Sequence, residues 1–140
     1  MTADVTVWHT QTILHDPDNG LLGNCMQAAI ATVLGLGMED VPHFAAIGDP
    51  DDDSCIEWWA ALNRWSHERG LFLVVVDPDD LPADTLCILN GRSPRGVMHA
   101  VVGRGCETIH DPHPSRAGIV SVQQAWVFCQ IPTIGPEVQP

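Results

Sequence analysis

Three residues far apart in the chain have the types that thiol chemistry needs: Cys25, His99 and Asp111. Cys25 lies in the stretch Gly23-Asn24-Cys25-Met26-Gln27-Ala28-Ala29-Ile30-Ala31-Thr32-Val33-Leu34-Gly35-Leu36. From Met26 to Leu34 it is Ala-rich and apolar on more than one side, the composition of a helix buried all round. Asn24 is a favoured N-cap residue, and Gly35 and Gly37 are natural stops. A cysteine in the first turn has its sulfur beside unpaired N–H groups and the positive end of the helix dipole, a field that favours thiolate over thiol. The thiolate is the nucleophile, so the next requirement is a base to serve it. A cysteine in that place can equally be a small apolar residue opening a core helix.

Of the seven histidines, His99 is the one inside a strongly apolar strand pattern, Val97-Met98-His99-Ala100-Val101-Val102. Gly103-Arg104-Gly105 marks a tight reversal, with the next strand running from Cys106 to His110. If the chain turns about Arg104, facing residues have numbers summing to roughly 208–210, given hairpin loops of two or three residues. His99 then lies opposite residues 109–111. A carboxylate at Asp111 would accept a hydrogen bond from the imidazole, fix its tautomer and favour the imidazolium. His110 points to the other face of its strand and is not equivalent. Asp111-Pro112 also reads as a turn that ends the strand.

The elements that must hold these residues follow from the pattern of the remaining chain. Residues 5–14 read as a short strand or extended arm, and His15-Asp16-Pro17-Asp18-Asn19-Gly20 as a turn. Asp49-Pro50-Asp51-Asp52-Asp53-Ser54 is an acidic loop. It has no glycine at the sixth place and carries Ala60 where a bidentate glutamate belongs, so it is not a calcium loop. Ser54 and Glu57 instead predict a capping box, opening a helix that runs to about Arg69 with Gly70 just beyond it. Its apolar stripe is read as Ile56, Trp59, Leu62 and Trp65. Residues 71–76 predict a strand buried on both faces. Further strands are predicted over 85–89, ended by Asn90-Gly91, and over 97–102, 106–110 and 125–131. Helices first and a mostly antiparallel sheet second define an α+β class in one domain spanning residues 1–140.

Composition narrows the partners. Eighteen acidic residues face six arginines, giving a net charge of −12 without a lysine or a tyrosine. That balance opposes binding to nucleic-acid phosphates or to an anionic membrane surface, and suits solubility or a basic partner or substrate. No apolar run is long enough to span a bilayer, and the first residues carry no secretory signal pattern. Five cysteines without a C-x-x-C pair suggest neither a disulfide framework nor a zinc ribbon, which fits a reducing cytoplasm. Cys106, His110 and His113 match no standard zinc spacing. No metal and no cofactor enters this reading.

A cysteine opening a buried helix, a histidine on a strand and an Asp-Pro after the next strand occur here in that order. The set resembles the papain-like cysteine peptidases, and most closely their small bacterial branch, the leader-peptide-cleaving domains of bacteriocin exporters and related stand-alone proteins. The matching pieces are Gly23-Asn24-Cys25-Met26-Gln27-Ala28-Ala29, Met98-His99-Ala100-Val101-Val102 and Ile109-His110-Asp111-Pro112. The resemblance implies a papain-like fold in which the Cys-bearing helix and a second helix pack on an antiparallel sheet. It implies a Cys25–His99–Asp111 triad cleaving a peptide, isopeptide or related amide bond in a peptide or protein substrate. It also implies an oxyanion-hole donor from a glutamine upstream of the nucleophile, paired with the cysteine's own N–H. Gln11 fits that role at a longer spacing, with residues 15–22 as an inserted loop. Asn19 is nearer, but Asp-Asn-Gly gives it a turn to make. Gln27, beyond the nucleophile, is expected to bond locally. Exporter domains tend to carry glycine after the cysteine, where this chain has Met26-Gln27, and the substrate class stays open. The same parts would serve acyl transfer to an amine, or an idle fold used as a binding module.

Overall fold

The computed structural model describes residues 4–48 and 55–132. In it, five consecutive residues, Ala28 to Thr32, are all buried, so the first helix α1 (Cys25–Leu34) is enclosed around its whole circumference. Its small alanines let it lie close against the middle of the sheet. Gly35, at φ 68°, closes it with N–H bonds back to the carbonyls of Ala31 and Thr32. The second helix, α2 (Ile56–Glu68), buries Leu62 and Ser66 and packs Trp58, Trp59 and Trp65 against the core. Ile56, expected on that stripe, is 68% exposed, because the buried face is centred on Leu62 rather than on the helix start. The expected capping box involves Ser54, outside the described residues. Arg69 follows as C-cap, and Gly70 takes the left-handed conformation anticipated for it.

Five strands follow: β1 (Leu71–Val76), β2 (Leu86–Arg92), β3 (Met98–Arg104), β4 (Glu107–His110) and β5 (Gln124–Gln130). They form one sheet in the order β1-β5-β2-β3-β4, antiparallel at every junction. The class is α+β. The last strand enters between the first two, and β1 becomes an edge. Its apolar run is half-buried, with Val75 exposed, so the expectation of a strand enclosed on both faces does not hold. β2 continues through Asn90-Gly91, which was expected to end it. Gly91 pairs with His99 there, and a Cβ at Gly91 would collide with the carbonyl of Ser121. The β3–β4 hairpin turns at Gly105-Cys106, one residue later than expected, with Arg104 facing Glu107 and a bulge at Val102/Gly103.

The core has two parts, one for each face of the sheet. Ile30, Leu62, Phe44, Ile88, Val102 and Trp126 fill the space under the helices. Cys87, Leu89, Val101 and Ala125 fill the opposite face. Each fully buried leucine or isoleucine contributes about 2 kcal/mol to holding these layers together. Residues 5–14 make no strand. They run as an extended arm, with the His9 N–H on Thr32 Oγ1, the His9 ring on the Leu36 carbonyl and the Gln11 N–H on the Pro112 carbonyl. The His110 ring donates to the His9 carbonyl, so the arm ties α1 to the end of β4. Among the described residues no helix is long and apolar enough to cross a membrane.

Candidate active site

The site begins at the first turn of α1. Asn24 precedes Cys25 but does not cap the helix with its side chain. Its Oδ1 instead accepts the N–H groups of Thr12 and Ile13, at 3.0 and 2.8 Å, and its Nδ2 donates to Thr12 Oγ1 and Gln27 Oε1. Asn24 is 1% exposed, so these partly buried bonds start from an enclosed side chain and clamp the arm against the helix. The first-turn N–H groups around Cys25 have no intrahelical carbonyl to bond and, with no side-chain cap, stay available to an incoming anion. Gln27 was expected to bond locally. Beyond its bond with Asn24, it reaches the carbonyls of Met38 and Val41, at 3.0 and 2.8 Å, and fixes the same turn from the other side.

His99 stands near the start of β3, 5% exposed, and Asp111 just past the end of β4, 4% exposed. His99 Nε2 donates to Asp111 Oδ1 at 2.6 Å. The imidazole also shares a side-chain hydrogen bond with Cys25, which the occupied Nε2 leaves to Nδ1. The strand register differs from the expected sums, yet the contact forms, because Asp111 lies beyond the paired residues and is free to turn in. It is held there by the His113 N–H on Oδ1 and the Gly118 N–H on Oδ2, at 2.9 and 2.7 Å. The Arg116 guanidinium binds the Asp111 carbonyl and Thr10 Oγ1. Burial by itself would push the carboxyl up. The His99 bond and the two backbone N–H bonds outweigh burial and hold Asp111 down at about 2. Burial would likewise push His99 down, but its bonds and attraction to Asp111 and Cys25 hold it up at about 9. An imidazolium at neutral pH, between a carboxylate and a sulfur, is the electrostatic result.

Cys25 and His99 open onto a cleft of about 790 Å³. Gln11, 6% exposed, lines it. One N–H of its amide goes to the Ile13 carbonyl at 2.8 Å, leaving the second N–H of the same nitrogen for the cleft. Its Oε1 is buried without a partner. Gly23, just ahead of the nucleophile, lets that amide approach: a Cβ there would sit 3.3 Å from Gln11 Nε2. Asn19 is elsewhere, exposed at the tip of the 16–21 loop, where it donates to Asp16. Exposed Leu14 and Met98 give the cleft apolar walls.

Sequence reasoning missed His113, Arg92 and Arg95. The His113 ring stands edge-on to His99, with centroids 6.1 Å apart, and lines the cleft. The Ser115 N–H donates to its Nδ1, so the neutral ring carries its proton on Nε2. Burial and the Arg95 charge push this histidine down. The signal for it was Asp-Pro-His-Pro, where a turn closed by the Asp111 side chain brings residue 113 back to the site. Cys106, His110 and His113 are not gathered: Cys106 bonds the Pro78 carbonyl and His110 the His9 carbonyl.

The arrangement presents a sulfur at a helix N-terminus, a charged imidazole beside it, a buried carboxylate behind, and N–H groups in front. Such a set can attack a carbonyl, stabilise the resulting oxyanion and protonate a leaving group. No protein-family model, curated protein or solved structure matches the chain.

Proposed function

We propose that this protein is a papain-like cysteine hydrolase that cleaves a peptide, isopeptide or related amide bond. The single observation that carries the reading is His99, buried and hydrogen-bonded to Asp111 on one side and Cys25 on the other. Cys25 Sγ attacks the carbonyl carbon, and its thiolate electron pair becomes the new C–S bond. The carbonyl π pair moves to the oxygen, where the Cys25 N–H and the Gln11 amide receive it. His99 gives its proton to the leaving nitrogen as the C–N bond breaks, producing an amine and a thioester. Neutral His99 then takes a proton from water, whose oxygen attacks the thioester and releases the acid and the thiolate. Asp111 stays ionised and holds the ring in the tautomer that serves both steps.

Intact mass spectrometry of the protein incubated with a peptide library tests this. An acyl adduct on Cys25 that hydroxylamine removes, together with new peptide termini, is expected. Cys25→Ala and His99→Ala should each abolish both. Absence of turnover, with Cys25 alkylating no faster than exposed Cys55 and Cys106, would overturn the reading.

A further inference from the structure

The chain carries six arginines against eighteen acidic residues, and two of the six, Arg92 and Arg95, line the cleft that holds Cys25 and His99. They come from the end of β2 and the loop before β3. Among the described residues, none of the side chains lining the cleft is acidic. Asp111 lies beneath it with its oxygens taken by His99 and two backbone N–H groups. Each arginine is steadied by one bond: Arg92 to the Gly96 carbonyl at 2.9 Å, and Arg95 to Ser115 Oγ at 3.3 Å. A guanidinium has five N–H donors in a planar fork matched to a carboxylate, so most of each fork remains for a ligand. Ser115 Oγ, which Arg95 binds, also lies 2.8 Å from His113 Nδ1, and the His113 ring stands beside His99, which places Arg95 near the reacting atoms. In a molecule of net charge −12 the cleft is thus a local reversal of sign.

We propose that Arg92 and Arg95 form a carboxylate-recognition wall, so that the hydrolase selects substrates carrying a carboxylate next to the bond it cleaves. The carboxylate comes from an acidic side chain or from a chain terminus. This rests on the hydrolase reading and reverses, at the site, the basic substrate that overall charge suggests. A bidentate guanidinium pair fixes orientation as well as charge, which aligns the scissile carbonyl with Cys25.

Iodoacetate and iodoacetamide test it without a known substrate. Both alkylate a thiolate by forming C–S and expelling iodide, and they differ by one carboxylate against one amide. The rate ratio of iodoacetate to iodoacetamide is measured at each cysteine by mass spectrometry. The His99 imidazolium itself draws an anion, so the readout is the change in the Cys25 ratio on Arg92→Gln/Arg95→Gln. Both side chains are exposed and the double variant keeps the core intact. The Cys25 ratio is expected to fall about threefold to tenfold at low salt, and by much less in molar salt. Arg92→Lys/Arg95→Lys should retain part of it. An unchanged ratio overturns the proposal. If Cys25 reacts with neither reagent faster than Cys55 and Cys106, the hydrolase reading fails instead. Protection of Cys25 from iodoacetamide by N-acetylglutamate amide marks a side-chain carboxylate, and protection by N-acetylglycine marks a chain terminus.

Discussion

Two buried or half-buried thiols, Cys25 and Cys87, face opposite surroundings. Cys87 is enclosed, its Sγ turned to the Gly103 and Gly105 carbonyls, and burial together with nearby Cys106 pushes it up to about 12. Cys25 borders a cleft and an imidazolium. Iodoacetamide at neutral pH is therefore expected to label Cys25 first and leave Cys87 unlabelled until the protein unfolds, as read by peptide mass spectrometry. Cys55 and Cys106 are exposed, so both should label after Cys25 and ahead of Cys87. The pH response follows from His99 and Asp111. His99 is raised from 6.5 to about 9, so its contribution to stability is full below 6.5 and lost as pH rises through 9. Asp111 is lowered from 3.8 to about 2, so its contribution is present above 3.8 and lost as pH falls through 2. Turnover should fall above about pH 9, where His99 no longer carries the proton for the leaving group. Asp111→Asn is expected to move that upper limit towards 6.5 while an amide still orients the ring, and a pH–rate profile measures the shift.

Among the elements, α1 was the most legible, because its alanines and flanking glycines say helix, buried and stopped without any tertiary information. The His99–Asp111 pair was legible from hairpin arithmetic despite a one-residue error in the turn. The error was absorbed because Asp111 lies outside the ladder, where a side chain and not the register makes the contact. What could not be read was the job of Asn24. Capping statistics describe an asparagine as serving its own helix, whereas this one serves the arm of residues 11–13, a partner set by tertiary packing. Asn24→Ala would leave the Thr12 and Ile13 N–H groups without their acceptor. Ile13 is half-buried while Thr12 is exposed and can turn to water, so a loss of about 1–2 kcal/mol in urea unfolding is expected. Gln11 should lose its position at the same time, with faster amide exchange over residues 11–13. β2 was misread for a related reason: Asn90-Gly91 looks like a turn, but the glycine is there for the passing Ser121 carbonyl.

For the molecule as a whole, the acidic excess sets solution behaviour and not the preference of the site. With an isoelectric point near 4.6, turbidity should peak as the pH is lowered through that value, before Asp111 is protonated. The average charge was plain in the composition, while its reversal within the cleft required knowing that Arg92 and Arg95 share a wall with Cys25. The connectivity of the site bears on how the protein is made. Gln11 and Cys25 are synthesised early, but the base, its carboxylate and the Gly118 amide that holds the carboxylate come about seventy to ninety residues later. The His9–His110 and Gln11–Pro112 bonds close that long loop. A growing chain thus carries its sulfur without the His99–Asp111 pair beside it until β4 and the turn after it have emerged. On the hydrolase reading, a nascent molecule is in this way chemically dormant towards its neighbours on the ribosome until the turn after β4 joins the site.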